Sequence, residues 1–550
     1  MEAPGDHWKS RLRDPRWVLL LALVLFGWNL WAYDLWAPDE PFFGEGAREM
    51  IVDGHWLVTH VNGEINTHKP PLFFWLIALF SLPFGEISSL TARLPSALAA
   101  LGSLYLTMRW ARRWCGGRTA VLAGVILATT HMFWEKARSA QIDSLLCFLI
   151  LISLSAFESF RAGELPGRRA GILFWTAAAA AVLAKGPVGL LLPLGIALVT
   201  LAVDRQLPRW RSFAPFAGPL AFAAVAGLWV AAVSLWGAEG YSVWGALREH
   251  FVERAVHGMH HVQPPWYYLG VLPYALLPWS FLLPGGLWLA FRRRRSDDRF
   301  LLVIALFVVI FFSISTEKRD LYILPAVPAF ALLSARLVAA VLGWWPPREE
   351  RDAPSPARRW VTVPQGFVGG VIVLAAAAVP FVAPRFGPEI FAAGIPLAVV
   401  LGIGGLGIVV TAVRGRVLPT VRWTAATMAL GMLVAVSLVY PALNPQKSGR
   451  ELALVVRDET AASRAAGFPV LALGLDNIPN SINFYSDGVY LQEVSSREEI
   501  LRILENGGAT HLLAKASDLP PFPEELERHK EVVYSTHLAR RDVVILHFDR

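Results

Sequence analysis

The chain has 550 residues, 55% of them hydrophobic and 12% aromatic, and only 17% are charged. Apolar runs long enough to cross a bilayer recur from Trp17 to Tyr440, which excludes an ordinary soluble globule. The formal net charge of +7 sits mostly on loop arginines, a pattern that sets membrane topology and does not point to nucleic acid.

Lys9, Arg11, Arg13 and Arg16 precede the first apolar run, WVLLLALVLFGWNLWAY, and predict a cytoplasmic N-terminus. No small-residue cleavage site follows this long aromatic run, so it reads as a span rather than a removed signal. A polar, glycine-punctuated stretch comes next, from Asp34 to Pro71. It carries the acidic pair Asp39 and Glu40, then Arg48, then His68 and Lys69 ahead of two prolines. Pro38 and Pro41 flank the acids and predict an extended turn there. Two readings of the pair stand side by side: a carboxylate that positions or activates an acceptor nucleophile, or a solvated acidic turn. A group of this kind held against a membrane favours the handling of something charged at its surface.

Apolar runs lie near 17–34, 90–111, 119–134, 144–160, 170–184, 187–203, 213–236, 266–291, 300–315, 321–343, 365–383, 390–412 and 422–441. A further run, PLFFWLIALFSLPFG at 71–85, reaches only about 22 Å at helical rise, short of a hydrocarbon core of roughly 30 Å. Charge decides its role. If 71–85 does not cross, the arginine-rich loops all fall on the cytoplasmic side; if it crosses, all of them flip outward. The segment is therefore predicted to be an interfacial or re-entrant helix, leaving about thirteen spans. This count puts 34–70 and the C-terminal region on the outer face together.

The outward loops then hold Arg138 and Asp143, Lys185 in an AKGP turn, residues 237–265, and Lys318 and Arg319 in TEKRD. Outward bases run against the positive-inside trend, and Lys69, Arg138, Lys185, Lys318 and Arg319 suit phosphate recognition, with headgroup snorkelling as the plainer alternative. Asp143 opens a span, where a carboxylate also simply complements a helix N-terminus. Residues 249–268 contain Arg254 and four histidines, among them His250, but in no standard zinc spacing. Cys115 and Cys147 are placed in different environments, so no disulfide is expected. Residues 345–359 read as a linker.

From Asn444 onward no run is long enough to span. FPVLALGL, GVYLQEV, THLLAKAS and DVVILHF are strand-like, and NIPNSINFYSD suits a helix. SSREEILRILENG begins with a capping box, Ser496 and Glu499, and ends at Gly507. The chain thus divides into a polytopic α-helical membrane domain, 1–443, with an outer loop of interfacial helices at 34–85, and a small α/β domain, 444–550.

An ordered set of motifs runs through the first three-fifths of the chain: the acidic pair after the first span, KPPL at Lys69–Leu72, ARLPSAL at Ala92–Leu98, Arg138 with Asp143, AKGPVGLLLP, EHFVER with HHVQPPWYY, and Ser313–Pro328. The set resembles bacterial polyprenyl-phosphate-dependent membrane glycosyltransferases of the GT-C class, related to protein O-mannosyltransferases and most like the aminoarabinose (lipid A) transferases. The resemblance implies an inverting enzyme of the inner membrane that takes a sugar from undecaprenyl phosphate on the periplasmic face, with 4-amino-4-deoxy-L-arabinose as sugar and a lipid A phosphate as acceptor. By motif position Asp39 is the main catalytic acid and Asp143 the second. Lys69, Lys185 and Tyr322 hold the donor phosphate, joined by Arg138, Lys318 and Arg319, with Glu40, Arg48 and Arg254 in support. The family binds a metal through a Glu before the KPP lysine and a His of the EH segment; here His68 and His250 stand at those places, as ligands for zinc or magnesium. No other cofactor is expected, and the chain is expected to act as a monomer among membrane lipids. A related transferase acting on protein or another surface glycan is the alternative, and a flippase for lipid-linked sugars is the rival from outside enzymology. A transporter, however, places charge near the midplane and often shows internal repeats, and neither is found here.

Overall fold

The computed structural model describes residues 14–213, 215–237, 241–247, 262–346, 356–475, 478–494, 496–507, 509–519, 521–538 and 541–548. His250 and Arg254 lie outside the described residues. In chain order the principal helices are α1 (Arg16–Gly27), α2 (Asp39–Val52), α3 (Leu72–Ser81), α4 (Ser89–Cys115), α5 (Gly117–Ala128), α6 (His131–Ala137), α7 (Ile142–Arg161), α8 (Gly167–Lys185), α9 (Val188–Val203) and α10 (Ala217–Trp236). They continue with α11 (Tyr267–Ala275), α12 (Leu283–Arg293), α13 (Ser296–Ile314), α14 (Val327–Val341), α15 (Arg359–Val382), α16 (Pro388–Val413), α17 (Val417–Val434), α18 (Arg450–Glu459), α19 (Ile478–Tyr485) and α20 (Arg497–Glu505). Each of the thirteen apolar runs is helical over most of its length. Among the described residues six helical stretches are long and apolar enough to cross a membrane, and a bent pair makes a seventh. The protein is a multi-pass membrane protein.

Two local expectations are corrected. The run 266–291 is not one helix: α11 and α12 meet at 113° across a short break that contains Pro278. Pro278 has no N–H to carry the helical ladder through that point. Asp39 and Glu40 do not sit in an extended turn but open α2. Pro38 is its N-cap and Pro41 falls in its first turn, where a missing N–H costs nothing, and two acids at an N-terminus complement the helix dipole.

The chain folds as two compact units. Residues 1–30, 67–73 and 93–439 form one; 31–66, 74–92 and 440–550 form the other. In the first, α7 packs on α8, α8 on α9 and α10, and α15 on α16 and α17. Close approach demands small residues: a Cβ on Gly189 would lie 2.3 Å from the backbone of Ala181, and one on Gly404 would lie 2.2 Å from the Thr427 hydroxyl.

The second unit is built on a five-stranded sheet, ordered β4 (Leu491–Glu493), β3 (Val470–Leu473), β5 (His511–Lys515), β7 (Arg541–Phe548), β6 (Lys530–Leu538). Strands β3, β4 and β5 run parallel, and β6–β7 is an antiparallel hairpin bulged at Val533. Strand β3 is buried on both faces: Val470 and Ala472 join a core with Val456, Ile482 and Ile545, and Leu471 joins another with Ile500, Leu512 and Leu546. That double burial is why it reads as a continuous apolar run rather than an alternating one. Ser496 caps α20 by accepting from the Glu499 N–H at 3.1 Å, as its capping box predicts.

Residues 31–66 are bound into this same unit. The Leu35 N–H donates to the Tyr485 hydroxyl at 2.6 Å, the Asp34 carboxylate accepts from Asn444 and Ser448, and Asn62 donates to Asn480 at 2.8 Å. Helix α2 packs on α19, where Gly44 has room for Phe484 only because it lacks a Cβ, which would lie 3.0 Å from that ring. A short hairpin, His60–Val61 with Glu64–Ile65, completes the loop.

Candidate active site

Lys185 is the last residue of α8. Gly186 follows at φ +77°, a left-handed conformation that favours glycine, and Pro187 caps α9. The AKGP sequence therefore makes a hairpin between two apolar helices and leaves one ammonium at its tip. A cation at a helix C-terminus is favoured by the dipole, as is an anion at an N-terminus, and Asp143 lies in the first turn of α7. The two meet: the Lys185 ammonium donates to an Asp143 carboxylate oxygen, and both side chains are largely buried. The same ammonium lies 4.7 Å from the centroid of the Tyr322 ring, a cation–π distance, and Phe312 packs on that ring at 5.1 Å.

This group faces a cavity of about 510 Å³ within the first unit. Its polar wall includes His68, Lys69, Lys185, Tyr322 and Glu317, and much of the remainder is apolar, including Leu183, Trp229, Val230, Phe311 and Phe312. The size and the few convergent polar groups are those of a ligand site. Two lysines against an apolar wall suit an anionic headgroup with a hydrocarbon tail.

Of the phosphate-binding candidates, then, the fold brings Lys69, Lys185 and Tyr322 to one cavity with His68 beside them. Arg138 is buried elsewhere: its guanidinium donates to the carbonyls of Leu25 at 3.0 Å and Phe26 at 3.2 Å and stacks on Trp134. Lys318 donates to the carbonyls of Gln263, at 2.8 Å, and Ser315. The Arg319 carbonyl accepts from the Tyr268 hydroxyl at 3.1 Å. Arg138, Lys318 and Arg319 do not line the cavity. Glu317 is the lining residue that sequence reasoning passes over. It stands beside Lys318 in TEKRD, and its bridge to Val262 turns it inward. Trp229, in the middle of an apolar helix, carries no signal at all.

The acids of α2 belong to the second unit. Asp39 is half-buried at the helix start, and Glu40 accepts from the Trp36 N–H at 2.9 Å. Arg48 makes a two-pronged pair with buried Glu45, at 2.7 and 2.8 Å, and this bonding raises the guanidinium's proton affinity further. Glu49 is fully buried, and burial pushes its carboxyl up to about 8 despite a hydrogen bond from the Gly63 N–H.

Residues 68–236 match the dolichyl-phosphate-mannose-protein mannosyltransferase family. A protein of unassigned function from Aquifex aeolicus is 32% identical over 58% of this chain and 62% of its own length. The undecaprenyl phosphate-alpha-4-amino-4-deoxy-L-arabinose arabinosyl transferase of Pseudomonas aeruginosa is 33% identical over 58% of each chain. The match thus spans about three-fifths of these relatives. The crystal structure of ArnT from Cupriavidus metallidurans bound to undecaprenyl phosphate superposes with a TM-score of 0.77 over 98% of both chains, at 22% identity. The chain has the GT-C fold of that structure.

Proposed function

We propose that this protein is a glycosyltransferase that takes a sugar from a polyprenyl phosphate, undecaprenyl phosphate, and transfers it to lipid A on the periplasmic face of the inner membrane. The observation that carries the reading is the cavity that gathers Lys69, Lys185 and Tyr322 from three separate segments onto an apolar wall. The likeness to the Pseudomonas aeruginosa arabinosyl transferase supports the donor class and suggests 4-amino-4-deoxy-L-arabinose as the sugar.

The chemistry is a displacement with inversion at the anomeric carbon. An acceptor oxygen forms a bond to that carbon, and the carbon–oxygen bond to the lipid phosphate breaks. The electron pair leaves with the phosphate, which is already anionic and needs neutralisation more than a proton. Lys69 and Lys185 supply it from a cavity with a largely apolar wall. Asp143 holds Lys185 against Tyr322, so the ammonium needs little reorganisation when the phosphate arrives. Asp39 handles the acceptor. A hydroxyl gives its proton to that carboxylate, whereas a phosphate acceptor is already a nucleophile and is only oriented. A divalent metal, if held by His68 and His250, would supply further positive charge for the leaving group.

Membranes carrying Asp39→Asn should fail to modify lipid; transfer at the wild-type rate would overturn the role of Asp39. Mass spectrometry of lipid A with and without the gene tests the acceptor. A gain of one aminopentose supports lipid A. No gain, with the sugar found on protein instead, supports the second reading, which the match of residues 68–236 to protein mannosyltransferases favours.

A further inference from the structure

Helix α2 carries Asp39 at its start, and its other end holds a second group of polar side chains. Glu49 and Asp53 are four residues apart and so share one face. Gly54 then adopts φ +78° and turns the chain back, which brings His55 over the same face. One ligand-capable atom from each of Glu49, Asp53 and His55 lies within 4.8 Å of the other two. The side chains are not satisfied by one another. Glu49 is fully buried; its Oε1 accepts from the Gly63 N–H at 3.1 Å, while its Oε2 is buried without a partner among the described residues. The Nδ1 of His55 is likewise buried without one. Two of three clustered side chains thus carry a buried atom without a partner among the described residues, beside an exposed carboxylate, an arrangement that a cation completes.

We propose that Glu49, Asp53 and His55 form a divalent-cation site, with zinc the best-suited ion. A set of two carboxylates and one imidazole suits zinc, whereas magnesium and calcium take oxygen ligands alone. Three protein ligands and an exposed fourth side match zinc with one bound water. Zinc bonds of about 2.0–2.2 Å set neighbouring ligand atoms roughly 3.3 Å apart in a tetrahedron, so binding would draw the three side chains closer together. The surroundings hold the imidazole in place. His60 stacks on His55 with centroids 3.8 Å apart, and its own Nδ1 meets the Val58 carbonyl at 3.1 Å. Gly63 anchors Glu49 from the turn of the same hairpin. The ion would fasten the C-terminal end of α2 to residues 55–65. This group is separate in sequence and residue set from His68 and His250.

The test uses the full-length protein in detergent, stripped with a chelator and titrated with zinc chloride against a chromophoric competitor. Zinc affinity should fall by at least about 100-fold in Asp53→Asn and in His55→Ala, and should hold for this site in His68→Ala. Hydrogen exchange over residues 49–65 should slow on adding zinc to the wild type and not to Asp53→Asn, an isosteric change at an exposed position. Zinc absorption spectra should show a nitrogen and oxygen shell. A wild type that binds no zinc overturns the proposal. So does equal affinity in wild type and Asp53→Asn, or zinc lost on His68→Ala alone.

Discussion

Helix α7 carries an ionic group at each end, and the two have opposite characters. At its start Asp143 meets Lys185, which lines the cavity together with Lys69. At its end Arg161 pairs with Glu158 at 2.7 Å and with Asp204 at 2.5 Å, and Asp204 also accepts from Arg299 at 2.6 Å. The network continues through the Ser296 carbonyl to Asp297 and Asp298, both held by Arg336. A crevice of about 320 Å³ borders this end, yet Arg161 already has three partners. Buried charge alone therefore does not mark a site. At one end acids and bases consume each other and tie helices together. At the other, one acid holds one base at the rim of an apolar space, with a second lysine alongside.

The contrast can be broken by substitution. The largest expected effect is structural: Arg336→Met leaves Asp298 without its ion-pair partner and Asp297 with Arg295 alone, and should cost about 3–5 kcal/mol, read as a loss of folded protein in thermal melts. A negligible shift would show that network to be dispensable. Next comes Lys185→Met, which should lower transfer by about 10²–10³-fold, the loss typical of one electrostatic donor. Pairing it with Asp143→Asn removes the stranded carboxylate. The double variant should regain stability without regaining transfer, whereas recovery of both would make the Lys185 pair merely structural. Ser496→Ala, far in sequence from either group, should cost about 1 kcal/mol through its lost cap, measured by hydrogen exchange over α20.

A further effect concerns acid. Burial, with His547 next to it, pushes the His511 imidazole down to about 4. In the unfolded chain the ring titrates near about 6.5. Between those values the unfolded chain holds more protons, so the C-terminal sheet should lose stability as pH falls from 6.5 toward 4. His511→Asn should flatten that slope in exchange measurements on β5.

The membrane-domain helices are legible because each needs a long apolar run, and the α/β strands because they are short and apolar between turn residues. The bend at Pro278 carries a visible signal in its proline. The helix at Asp39 is hidden because its prolines look like breakers, yet they sit in a first turn that tolerates them. Strand β6 gives no apolar signal: KEVVYSTHL lies at a sheet edge, where polar residues are allowed. For the site, Lys69, Lys185, Tyr322 and Asp143 stand out as charged or polar groups at or near the ends of apolar runs. Arg138 and Lys318 stand out equally, and the fold gives them backbone carbonyls instead.

Sequence by itself determined that the chain is a multi-pass membrane protein, where its apolar helices lie, and that an α/β unit follows them. Those properties rest on composition and period, which are local. Tertiary structure alone decided which of the five candidate bases share a cavity, that Asp143 takes Lys185 as its partner, and that residues 31–66 belong with the C-terminal sheet. It also decided that Glu49, Asp53 and His55 converge. Each of these joins atoms by distance, and a charge carries no record in sequence of whether its counterpart will be a ligand, a neighbouring helix or a carbonyl.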